Sequence, residues 1–123
     1  MLFYKTTQDF IEGQWFQAST ASPAEPGGGG RILALDPRTG ETVWKFDTVS
    51  TPTAGMLATA GGLVFTGDAE GYLIAFDART GKVLWRFQTG GTVIAPPISY
   101  SLNGRQYIAV AAGQTMLTFA LPK

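Results

Sequence analysis

The chain of 123 residues carries nine Lys plus Arg against nine Asp plus Glu and contains neither cysteine nor histidine. That length suits one domain with a real core, and the balanced charge offers no basic field to gather nucleic acid or anionic lipid. Disulfides, thiolate or imidazole metal sites and Ser-His or Cys-His nucleophile systems cannot be assembled from these residue types.

No stretch approaches the roughly 20 apolar residues that a membrane-spanning helix needs. The opening MLFYKTTQDF has no basic region leading into an apolar segment and no small-residue cleavage site, so no signal peptide is read there and any targeting segment is expected upstream. LFYKTT (2–7) reads as a strand. The next stretch, QDFIEGQWFQASTASPAEPGGGG (8–30), reads as a long loop that closes in a polyglycine linker. RILALD and TVWKFDT then form a hairpin around the turn DPRTG.

From Met56 onward the strands are short and rich in aromatic and branched residues. MLATA turns through Gly61 and Gly62 into LVFTG, DAEG turns into YLIAFD, and ARTG turns into KVLWRF. After Thr89 the pattern resumes as IAPPISY, the turn SLNG, RQYIAVAAG and TMLTFAL. Placing RILALDPRTGETVWKFDT (31–48) over YLIAFDARTGKVLWRFQT (72–89) gives an offset of 41 with Ala, Asp, Arg, Thr, Gly, Trp, Phe and Thr identical. A period of that size belongs to propeller blades or to helical solenoids, and the short strands with hairpin turns decide for propeller blades.

The expected fold is therefore all-β. It is a β-propeller fragment over 1–123, with a first blade at 1–49 that carries the long loop 8–30, a complete four-stranded antiparallel blade at 50–89, and an incomplete blade at 90–123. The first blade lacks its inner strand and the last its outer one, because Asp77, Gly81 and Trp85 find no counterparts among Ala120, Leu121, Pro122 and Lys123.

A twisted sheet buries both faces only between neighbouring sheets, so blade-to-blade packing is the main source of stability. Trp44 and Trp85, near the outer edge, are expected to stack on the next blade, with an acceptor for each indole N–H. Asp36 and Asp77 accept turn amides, and Gly40 and Gly81 supply positive φ. On this reading Trp85→Ala costs about 3–5 kcal/mol, as a buried large-to-small change does.

Asp-x-x-Thr-Gly-x-x-x-Trp, at Asp36 to Trp44 and Asp77 to Trp85, resembles the tryptophan-docking motif of pyrroloquinoline quinone (PQQ) propellers. The longer string AGMLATAGGLVFTGDAEGYLIAFDARTGKVLWRFQTGGTVIAPPISYSLNGRQYIAVAAG (54–113) resembles the C-terminal blades of quinoprotein alcohol dehydrogenases. The resemblance implies a periplasmic or secreted, eight-bladed parent holding PQQ with a calcium or lanthanide ion at the centre of one face. Such a parent oxidises alcohols or aldose sugars by hydride transfer to the quinone, helped by a carboxylate base, and passes electrons to a cytochrome or to ubiquinone. It also implies that these residues are a C-terminal portion, not catalytic alone, whose partners are the remaining blades or other copies of the chain.

Propeller ligands sit where inner strands converge, which singles out STPTAGML (50–57) and GGTVIAPP (90–97). Thr53, Ala54 and Gly55 are the cofactor-binding candidates; the family places a Trp or Asn near Thr53 and Ala54, so an aromatic wall and an amide donor are missing. Asp68 and Glu70 in GDAEG form a turn with too few oxygens for calcium alone, and the residues supply neither catalytic nor metal-ligating candidates. A non-enzymatic scaffold with PQQ-like repeats, comparable to propellers that assist outer-membrane protein assembly, is the competing expectation.

Overall fold

The computed structural model describes residues 2–5, 9–16, 19–22 and 29–122. Among these every regular element is a strand, and every pairing is antiparallel.

β1 (Leu2–Lys5) pairs with β2 (Ser19–Ser22) as a two-stranded sheet of its own. This corrects the expectation of an unbroken loop over 8–30 following a strand that belongs to the first blade. Ser-Thr-Ala-Ser has neither alternation nor bulk, and backbone pairing, which does not depend on side chains, is what makes it a strand. The polyglycine stretch also needs correcting. Residues 23–28 lie outside the described ones, but Gly30 opens a strand and donates its N–H to Thr48 Oγ1 at 3.1 Å. A Cβ on Gly29 would strike the Thr48 carbonyl and one on Gly30 the Pro52 ring, so glycine is required there by close approach.

β3 (Gly30–Leu35) and β4 (Thr42–Thr48) form a hairpin with a register shift between Ala34 and Leu35. β5 (Leu57–Ala58), β6 (Leu63–Gly67), β7 (Tyr72–Asp77) and β8 (Val83–Gln88) make one four-stranded meander in sequence order. Its register shift, between Ala75 and Phe76, lies at the same place in the repeat. β5 is shorter than MLATA suggested because Thr59 leaves the ladder: its N–H donates to the Leu63 carbonyl at 2.9 Å and its carbonyl accepts from Gly62 at 3.0 Å. β9 (Ile98–Leu102), β10 (Arg105–Ala112) and β11 (Thr115–Ala120) form a three-stranded sheet with β10 central. Its first turn places Asn103 at φ 53° and Gly104 at φ 72°, the double left-handed geometry that Asn-Gly favours in two-residue hairpins.

The sheets pack face to face, with β7 at the centre. Ile74 and Phe76 point to one side, against Ile32, Trp44 and Phe46 of the β3–β4 sheet. Leu73 and Ala75 point to the other, where Leu73 joins Val93, Val110 and Ala112, and Ala75 joins Phe65 and Ile108. A strand covered on both faces carries a continuous apolar run instead of alternation, which is why YLIAF reads as it does. Each fully buried Leu or Phe of this kind contributes about 1.5–3 kcal/mol relative to exposure. The architecture is that of a β-propeller segment.

Candidate functional site

Trp44 and the turn that receives it carry the tightest geometry of the repeat. The Asp77 carboxylate accepts the amides of Arg79 and Thr80 at 3.0 and 2.9 Å and the Thr80 hydroxyl at 2.9 Å, which fixes the turn that Gly81, at φ 70°, completes. These hydrogen bonds, the Thr80 hydroxyl foremost, hold Asp77 below the usual carboxylate range. On this turn lies Trp44: its indole N–H donates to the Ala78 carbonyl at 2.9 Å, and its ring stacks on Phe76 with centroids 6.1 Å apart and planes 19° apart. Any Cβ on Gly81 would come within 2.6 Å of that ring. Asp36 and Gly40 build the matching turn one repeat earlier, the Arg38 amide donating to Asp36 at 2.8 Å, with φ 74° at Gly40 and open space above it.

Trp85 is a different case, and the cost expected of its removal needs correcting. It is 39% exposed, stacks on Phe87 at 6.0 Å and meets the edge of Phe119 at 5.2 Å. No hydrogen bond to its indole occurs among the described residues. The reason is positional: one repeat after Ala78 and Gly81 stand Phe119 and Pro122, which cannot form the Asp-x-x-Thr-Gly turn. Beside Trp85 runs an apolar groove of about 450 Å³, lined by Phe65, Leu84, Ile108, Phe119, Leu121 and Pro122 among others.

Of the cofactor candidates, Thr53 is exposed with its hydroxyl unengaged among the described residues, and Ala54 packs against the Leu73–Val93–Val110 cluster. At Gly55 the two inner-strand approaches meet, a Cβ there falling 2.7 Å from Pro96 Cβ. The Gly55 carbonyl accepts from the buried Thr66 hydroxyl at 3.2 Å. Asp68 and Glu70 serve their turn: Asp68 Oδ1 accepts the Tyr72 amide at 2.7 Å and Glu70 accepts the Ser50 hydroxyl at 3.0 Å. Among the described residues no three His, Cys, Asp or Glu side chains gather to hold a metal ion.

Sequence reasoning missed the threonines that lock these loops together. Thr89 Oγ1 donates within reach of both the Gly71 and Gly91 carbonyls at 2.8 Å, while Thr48 Oγ1 bonds the Ser50 carbonyl at 2.6 Å. Thr92 Oγ1 bonds the Ala69 carbonyl at 3.3 Å. The identity of Thr48 and Thr89 within the repeat was the available signal. A second groove, of about 280 Å³, lies between the β3–β4 and β5–β8 sheets. There the Arg86 guanidinium sits 3.8 Å over the Tyr72 ring.

Residues 28–121 match the family model described as outer membrane protein assembly factor BamB, a model of PQQ-type repeats. The chain belongs to this PQQ-repeat propeller family. It is 49% identical over 84 residues to a quinoprotein ethanol dehydrogenase of Pseudomonas putida, an alignment covering 68% of this chain and 14% of that one. It is 44% identical over 84 residues to the quinohemoprotein alcohol dehydrogenase of Comamonas testosteroni. The crystal structure of that enzyme matches with a TM-score of 0.68 at 40% identity, over 80% of this chain and 15% of that one. BamB from Moraxella catarrhalis matches with a TM-score of 0.52 at 22% identity, covering 76% of this chain and 30% of that one, a likeness of fold alone. The chain thus spans a small fraction of the length of the curated relatives it matches, 14% in the first case.

Proposed function

We propose that this chain supplies three blades, divided at 1–49, 50–89 and 90–123, to a larger PQQ-dependent dehydrogenase-like propeller. The parent oxidises alcohols or sugars in the periplasm and delivers electrons to a cytochrome or quinone. The observation that carries the reading is the 49% identity to a quinoprotein ethanol dehydrogenase, which runs over 84 residues.

PQQ and its calcium or lanthanide ion do not fit these residues alone. Thr53, Ala54 and Gly55 offer one hydroxyl, one methyl and a backbone pressed against Pro96, and the described residues gather no metal-binding cluster. Their role in the parent is to form part of the cofactor face, with Thr53 donating a hydrogen bond and the threonine-locked loops 50–55 and 89–97 holding that face rigid. Catalysis resides elsewhere in the parent.

A non-enzymatic scaffold is the second reading, favoured by Thr53 and Ala54 standing where the resemblance puts an aromatic wall and an amide. Titration of the full-length protein with PQQ plus calcium, followed by dye-linked alcohol oxidation, separates the two. Saturable binding with turnover supports the dehydrogenase; neither binding nor turnover supports the scaffold.

A further inference from the structure

The stack of sheets ends in two open faces of unlike chemistry. On the β9–β11 sheet, register places Ile98, Tyr100 and Leu102 of β9 opposite Ala109, Tyr107 and Arg105 of β10, with Met116 opposite Ala111. Ile98, Leu102 and Met116 are exposed, Met116 by 67%, and Tyr100 and Tyr107 stack at 5.2 Å with planes 12° apart. At the same place one repeat earlier, the cross-strand pair is Leu57 and Phe65, which packs on Ile108. Two phenols therefore replace an aliphatic and a phenyl where the next sheet would dock.

On the β3–β4 sheet the open face carries Arg31, Leu33 and Leu35 of β3 with Val43, Lys45 and Asp47 of β4. Leu33, Leu35 and Val43 are exposed, and Arg31 pairs with Asp47 across the strands at 2.6 Å.

These two faces are complementary. Leucines and valine meet Ile98, Leu102 and Met116; the guanidinium and ammonium groups of Arg31 and Lys45 suit the faces of the stacked tyrosines; and Asp47 can accept from a phenol. The chain already uses one such contact internally, Arg86 over Tyr72 at 3.8 Å. Such docking also continues the order of the stack, since each internal interface sets the leading face of one sheet on the trailing face of the next.

We propose that the 123-residue chain associates with a second copy of itself head to tail, the Tyr100–Tyr107 face of one on the Arg31–Leu33–Lys45 face of the other. The contact is heterologous, so it propagates into rings or filaments and does not stop at a symmetric dimer. The inference is independent of the catalytic reading, because it concerns this chain alone and is read without cofactor.

Light scattering of the purified chain across a concentration series tests it. The expected result is a mass that rises with concentration beyond the dimer. Leu33→Glu blocks one face and Met116→Glu the other, at exposed positions whose folding is checked by circular dichroism; Val43→Lys and Ile98→Lys replace either variant if it misfolds. Each variant alone is expected to be monomeric, whereas an equimolar mixture forms a heterodimer and goes no further, through the one face that each retains. A wild-type chain that stays monomeric, a single variant that still self-associates, or a mixture that stays monomeric overturns the proposal.

Discussion

Trp44→Ala is the sharpest test of how the sheets are fastened. The indole is half-buried between Phe76 and the Asp77–Gly81 turn. Roughly half of the 150–250 Å² of a tryptophan side chain is thereby removed from water, which at about 25 cal/mol per Å² contributes ~2–3 kcal/mol. The hydrogen bond to the Ala78 carbonyl adds about 1 kcal/mol net, and stacking on Phe76 about 0.5–1 kcal/mol more. Trp44→Ala is thus expected to cost about 3–4 kcal/mol. Trp44→Phe, which keeps most of the area and loses the donor, should cost about 1 kcal/mol. Trp85→Ala, without a comparable bond, should cost ~1–2 kcal/mol, because its exposed share forfeits little on truncation. Urea unfolding followed by circular dichroism, at a concentration where the wild type and variants have equal mass, measures all three. A Trp44→Ala cost below about 1 kcal/mol, or equal costs at Trp44 and Trp85, would refute the idea that the turn's carbonyl and glycine make the dock.

Two further substitutions probe the same turn. Gly81→Ala must adopt positive φ and push the Trp44 ring aside, whereas Gly40→Ala meets only the first problem. The expected costs are about 2–4 and 1–2 kcal/mol, and equal costs in thermal unfolding would show that the Gly81–Trp44 approach is irrelevant. Asp36 and Asp77 titrate below the ordinary range in the folded chain, Asp36 chiefly through the Arg38 amide and Asp77 through the Thr80 hydroxyl. Carboxylates with depressed folded values contribute stability above about pH 4, and that contribution is lost as pH falls through the folded value. Asp77→Asn should therefore flatten the acid limb of a stability-versus-pH curve, and an unchanged limb would show that the turn does not favour the charged form.

The β6–β8 portion was legible because burial on both faces leaves unbroken apolar runs, and Gly71, Gly81 and Asn103-Gly104 mark its turns. β2 was not legible, since Ser19–Ser22 owes its strand state to pairing with β1 and carries no side-chain pattern to betray it. Gly29 and Gly30 looked like slack, yet Thr48 and Pro52 press against both. That constraint comes from residues about 20 positions away and leaves no local trace. The candidate Thr53–Gly55 segment was legible as an inner-strand approach, but its contact with Pro96 was not.

By itself the sequence determined the all-β class, the 41-residue repeat and the turn chemistry of Asp36–Gly40 and Asp77–Gly81, because backbone preferences and hydrophobic patterning act over a few neighbouring residues. Only the tertiary structure separated the two tryptophans. Trp44 and Trp85 stand in near-identical local sequence, and what makes one a fastener and leaves the other over an open groove is the segment placed against it: a glycine turn with a free carbonyl in one case, and Phe119 and Pro122 in the other. Burial is a property of pairs of surfaces, and the second surface lies elsewhere in the chain.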